Sequence, residues 1–148
     1  MFIRHSTRLP LPVAITSRVL PEAVAEAAGE KPRVGFAIGP ARVRKRVSLH
    51  VGESHRLGQW LRIPLTWSAE PGAGLFPVLE GFLQLEPISP RESKLSLRAN
   101  YEPPMGRLGK AIDDAALHTV ARATVKDFVG AVRTRVLKAA EHAAAEEV

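Results

Sequence analysis

Residues 93–129 read SKLSLRANYEPPMGRLGKAIDDAALHTVARATVKDFV, and the fold turns on how this stretch is read. Its first part alternates: Leu95, Leu97, Ala99 and Tyr101 share one parity, and Lys94, Ser96, Arg98 and Asn100 share the other. That is the pattern of a strand with one apolar face and one wet face. Pro103 and Pro104 stop it, because neither can donate to a ladder, and Gly106 and Gly109 permit a sharp reversal of the backbone. From about Leu108 to Ala140 the period changes to 3.6. Leu117, Ala121, Thr124, Phe128 and Val132 form a stripe that Val120, Val125, Val129 and Val136 widen, with Arg122, Lys126 and Arg133 opposite. The spacing predicts a helix of about thirty residues, roughly 45 Å long. The stretch is therefore a strand, a hinge and a long amphipathic helix. A phosphate-cradling loop is the competing reading of Gly-x-x-Gly. It is disfavoured because no Lys-Ser/Thr follows Gly109, the preceding strand pattern is antiparallel, and no dinucleotide fingerprint is present.

Upstream of this stretch the period is two for some seventy residues. Val43, Val47, Leu49 and Val51 alternate with Arg44, Arg46, Ser48 and His50; after GESHRLG, Leu61, Ile63, Leu65 and Trp67 alternate with Trp60, Arg62, Pro64 and Thr66. These runs predict a hairpin. In LFPVLEGFLQLEPI, Leu79, Leu83 and Leu85 share a side while Phe76, Val78 and Phe82 blur the alternation, so a bulge is expected near Gly81. The N-terminal run places Ile3, His5, Thr7 and Leu9 on one parity of a strand that Pro10 and Pro12 end. Residues 13–29 then give one or two short helices, with Pro21 as a first helical residue and Gly29 as a stop.

Composition narrows the function classes. One domain is expected from 148 residues, and at this length a chain buries roughly 70% of its unfolded surface. With 45% hydrophobic but only 5% aromatic residues, the core should be aliphatic, which makes Trp60 and Trp67 informative. There is no cysteine, which excludes disulfides, thiolate metal sites and a cysteine nucleophile. No stretch approaches the ~18 apolar residues that span a bilayer, and the N-terminus has no apolar signal core, so a cytoplasmic protein is expected. Net charge is +6, carried mostly by arginine, which raises the odds of an anionic partner without choosing one.

The order is strand, short helices, four or five antiparallel strands, then one long helix whose apolar stripe must be covered. The concave side of the sheet is the only surface large enough to cover it. On the residues of IPLTW (63–67), LFPVLEGFLQLEPI (75–88) and 95–129, the chain is similar to bacterial members of the START-like, or SRPBCC, superfamily. That superfamily includes polyketide cyclase/dehydrases, lipid-transfer domains and birch-pollen-allergen-like proteins. The resemblance spans about residues 43 to 137, and the first forty by element order alone. Its most specific piece runs from Tyr101 to Gly109, with Asp113 following. It implies an α+β, helix-grip fold: a curved antiparallel sheet of about five to six strands wrapped on the C-terminal helix, with one or two short helices after the first strand. Residues 1–140 form the single domain in this reading, and 141–148, with carboxylates at a helix C-terminus, form a frayed tail.

The resemblance also implies an interior pocket for an apolar or amphipathic molecule, and no particular reaction. The apolar parities supply its expected lining: Leu49, Val51, Ile63 and Leu65 from the hairpin, Leu83, Leu85 and Leu97 from the next strands, and Leu117 and Phe128 from the helix. His5, Thr7, Trp67 and Tyr101 are its few polar points; ordinary core packing explains the same four residues. No cofactor and no catalytic residue is assigned. A metal site is disfavoured, because His50 and His55 diverge and no HExxH exists. Hydrolase chemistry is excluded: there is no Gly-x-Ser-x-Gly elbow, and Asp113 and Asp114 point about 100° apart on a helix.

Three functions remain open. The first is a noncatalytic binder or carrier of a lipid- or polyketide-like molecule. The second is a cyclase/dehydratase-type enzyme using His5 and Tyr101 in the same cavity. The third is a basic surface module docking on an acidic macromolecule through Arg44, Arg46, Arg62, Lys94 and Arg98, which project from the outer sheet face. Nucleic acid is disfavoured as that partner, since Trp60 is the only aromatic expected there for base stacking.

Overall fold

The period-two runs become strands and the two 3.6-period runs become helices. A computed structural model describes residues 2–29, 33–38, 41–69, 78–102 and 114–146. In chain order the elements are β1 (Phe2–Leu9), α1 (Val13–Gly29), β2 (Arg33–Ile38), β3 (Ala41–Val51), β4 (His55–Leu57), β5 (Trp60–Ala69), β6 (Val78–Ser89), β7 (Glu92–Glu102) and α2 (Asp114–Glu146). The curved sheet has the order β1-β7-β6-β5-β3-β2, with the short β4 added to β5, and its ladders are antiparallel. The hinge prolines and glycines, and the expected helix start at Leu108, lie outside the described residues.

Several boundaries differ from expectation, each for a physical reason. The one or two helices expected after β1 are a single helix, and Pro21 sits inside it rather than at its start. GESHRLG is not a plain turn: His55–Leu57 form β4, and Gly58 takes φ +62° in the tight reversal that pairs Leu57 with Trp60. His50 and His55 are exposed strand residues rather than turn residues. α2 continues past Ala140 to Glu146.

The expected bulge at Gly81 is absent. Its register is unbroken, Leu65↔Gly81 on one side and Gly81↔Ala99 on the other. The irregularity falls instead between Pro87 and Ser89, where proline withholds a ladder N–H. Gly81 is required for another reason: a Cβ there would lie 1.9 Å from the Arg98 carbonyl oxygen. Because the parity holds, Phe82 faces outward, and Trp60 is not the only aromatic on that side.

The inner face follows from the register as cross-strand rows. Tyr101, Leu79, Trp67 and Leu49 form one row; Ile3, Ala99, Gly81, Leu65 and Val51 the next; then His5, Leu97, Leu83 and Ile63; then Thr7, Leu95, Leu85 and Leu61. Ala121, Thr124, Val125, Phe128, Val129, Val132 and Val136 of α2 are buried, as the stripe predicts. α1 buttresses α2: Leu20, Ala23, Val24 and Ala27 are buried, and Glu26 pairs with Arg135 at 3.8 Å. A hydroxyl relay fastens the start of α1 to β7. Ser93 Oγ donates to the Leu11 carbonyl (2.9 Å) and meets Thr16 Oγ1 at 3.1 Å. Arg133 Nε donates to the Arg8 carbonyl (3.2 Å), which ties α2 to β1. Among the described residues, no helix is long and apolar enough to cross a membrane.

Candidate ligand site

The alternation that made each strand half apolar also brings the expected lining residues of five strands to one side. Ile63, Leu65, Trp67, Leu83, Leu85, Leu97, Tyr101 and Phe128 are enclosed, each with at most 2% of its surface accessible. These side chains meet neighbours rather than open space. His5 and Thr7 on β1, and Leu49 and Val51 on β3, are half-buried. The inner face is thus sealed along its middle and keeps accessible surface toward its two margins. The side chain of Leu117 lies outside the described residues.

Two aromatic contacts join helix to sheet. The Phe128 ring meets Trp67 edge to face, with centroids 5.2 Å apart and planes at 82°. Tyr101 Oη and His118 Nδ1 are 3.2 Å apart, and the imidazole tautomer decides which donates. His118 was not among the expected site residues, although a signal for it existed. It falls at i−3 from Ala121 and i−7 from Val125, on the buried stripe that the reading from Leu117 passed by.

The indole N–H of Trp67 is the anomaly of this face. It is buried and has no hydrogen-bond partner among the described residues. A buried donor left unmet costs about 1–3 kcal/mol, and cores avoid it.

The outer face is tied down among its own residues. Arg62 Nε donates to Gln84 Oε1 (3.0 Å), and its guanidinium lies 4.7 Å above the Phe82 ring. Lys94 Nζ is 3.8 Å from Glu86. Arg98 is half-buried, and the side chains of Arg44 and Arg46 lie outside the described residues. A cleft of about 560 Å³ opens on this face between Phe2, Pro64, Phe82 and Arg98, and one of about 550 Å³ lies between α1 and α2. Among the described residues, no three His, Asp or Glu side chains gather as a metal site would require.

No protein-family model and no curated protein sequence matches the chain. Solved structures do match. A conserved protein from Geobacillus kaustophilus superposes with a TM-score of 0.59 at 20% identity, covering 93% of this chain and 96% of that one. The Zhui aromatase/cyclase from Streptomyces sp. R1128 does so at 0.55 and 14%, covering 95% and 93%. A START superfamily protein from Mycobacterium smegmatis gives 0.53 and 14%, covering 93% and 97%. The chain shares the fold of these structures. It is the helix-grip arrangement, an antiparallel sheet closed over a long C-terminal helix, which the resemblance on residues 43 to 137 implied.

Proposed function

We propose that this protein binds a hydrophobic or amphipathic small molecule, lipid- or polyketide-like, between the inner face of the sheet and α2. The supporting observation is the uneven closure of that face. Leu49 and Val51 retain accessible apolar surface directly beside the enclosed Trp67 and Leu65. Small-molecule sites are apolar hollows with few polar groups, and an aliphatic wall that is half open on the concave side suits one. A shared fold assigns no function by itself, so the reading rests on this face rather than on the likeness to the aromatase/cyclase.

Native mass spectrometry of the freshly purified protein, followed by titration with dodecanoate, tests the reading. The expected result is a retained small molecule or one dodecanoate per chain. Leu49→Glu, which places a charge on the half-open wall, should weaken dodecanoate at least about tenfold while leaving the circular dichroism spectrum unchanged. A wild-type chain that purifies clean and takes up neither dodecanoate nor a neutral aromatic probe such as 2-acetylnaphthalene or 2-ethylnaphthalene would overturn it.

One observation favours a second reading, the cyclase/dehydratase type. The Tyr101–His118 pair unites a phenol and an imidazole, two groups able to pass a proton to an enclosed carbonyl. A bound carbonyl compound lying beyond hydrogen-bond reach of Tyr101, His118 and His5 in a crystal structure would remove it.

A further inference from the structure

The geometry points to Trp67 as the residue that selects the ligand: its indole N–H is a hydrogen-bond donor reserved for a neutral carbonyl oxygen on an otherwise apolar molecule. This rests on the proposed binding function and goes further, naming the chemistry that the site reads.

The N–H is enclosed and unpartnered. The residues beside Trp67 in its row supply no side-chain acceptor: Leu79 stands on one side and Leu49 on the other. Above it Phe128 offers a ring, at best a weak acceptor compared with an oxygen lone pair. A phenylalanine at position 67 would keep an aromatic contact to Phe128 without an unmet donor, so packing alone does not account for an indole here. Leu49, directly opposite Trp67, is half-buried, so accessible space begins one strand away from the donor. The four cross-strand rows of the inner face contain no lysine or arginine. One neutral donor without a cation compensates a neutral carbonyl far better than a carboxylate, whose desolvation it does not offset.

The test uses two probes that differ by a C=O in place of a CH₂: 2-acetylnaphthalene and 2-ethylnaphthalene. In the wild-type protein the ketone should bind more tightly than the hydrocarbon. In Trp67→Phe the ratio of the two affinities should fall about tenfold, mainly through loss of ketone affinity. An independent reading uses the wild-type chain with ¹⁵N-labelled indoles. The Trp67 Nε1–H resonance should move downfield with the ketone and not with the hydrocarbon, while that of Trp60, which is 39% exposed, serves as internal reference.

If both probes bind and the ratio survives Trp67→Phe, or the Trp67 resonance responds equally to both, the inference is overturned and the binding function stands. If dodecanoate binds and neither naphthalene does, the assigned ligand chemistry is overturned. If none of the three binds, the inference falls together with the proposed function.

Discussion

Two glycines show how one missing methyl group acts in opposite directions. At Gly81 a Cβ would meet the backbone of β7, with Arg98 O at 1.9 Å and Ala99 Cα at 2.6 Å, and backbone does not step aside as a side chain would. At Gly130, in the middle of α2, nothing lies within 4 Å of the same atom. Gly81→Ala should therefore destabilise by about 3 kcal/mol, through forced separation of β6 and β7. Gly130→Ala should stabilise by roughly 0.5–1 kcal/mol, by removing backbone freedom from the unfolded chain. Urea denaturation of the two variants checks both signs, and equal effects would show that the close approach at Gly81 is not real. The sequence reading misassigned Gly81 for an understandable reason. A glycine within a strand commonly marks a bulge, and outward-facing Phe82 looked like a break in alternation, when it is an apolar residue covered by the Arg62 guanidinium.

At the scale of elements, two ring contacts described between α2 and the sheet are Phe128 on Trp67, with centroids 5.2 Å apart, and His118 on Tyr101, at 5.8 Å. Phe128→Ala removes the contact with Trp67 and a large buried side chain. A loss of about 3–5 kcal/mol is expected, a large part of the 5–15 kcal/mol that domains of this kind possess. A urea midpoint unchanged from wild type would mean that α2 is anchored elsewhere. The strands and this helix were legible because burial imposes a period, and the alternation of β5 and β7 shows the matching burial in Leu61, Ile63, Leu65 and Trp67 and in Leu95, Leu97, Ala99 and Tyr101. What periodicity does not carry is contact between distant elements. Thr16 and Ser93 are 77 residues apart, and each reads locally as an unremarkable hydroxyl. Likewise the unmet donor of Trp67 follows from what surrounds it, not from its parity, so its side of the strand was predictable and its isolation was not. Pro21 misled because proline suits a helix's first turn, where its missing N–H has no intrahelical partner to lose, whereas here it stands inside α1 and withholds one helical N–H.

Seen whole, the molecule has one face that is sealed in the middle and a charged exterior whose cations are partly engaged with Gln84, Glu86 and Phe82. A ligand that enters the grip must be bound by the folded chain and not by the unfolded one. Stability therefore rises with ligand concentration, by about 2.7 kcal/mol at a hundredfold excess over Kd. For a chain of 148 residues this corresponds to a rise in Tm of roughly 5–10 °C. Differential scanning calorimetry with 2-acetylnaphthalene measures it, and a midpoint indifferent to a saturating probe would contradict binding within the grip.

The place of β1 also bears on how such a chain is made. Phe2–Leu9 is paired by Glu92–Glu102, so β1 is an edge strand whose neighbour is translated well after it, and the helix that fastens both follows later still. Until β7 is made, β1 must therefore wait as an unpartnered ribbon. Its exposed Arg4 and Arg8 help keep that ribbon from joining the nascent chains of neighbouring ribosomes.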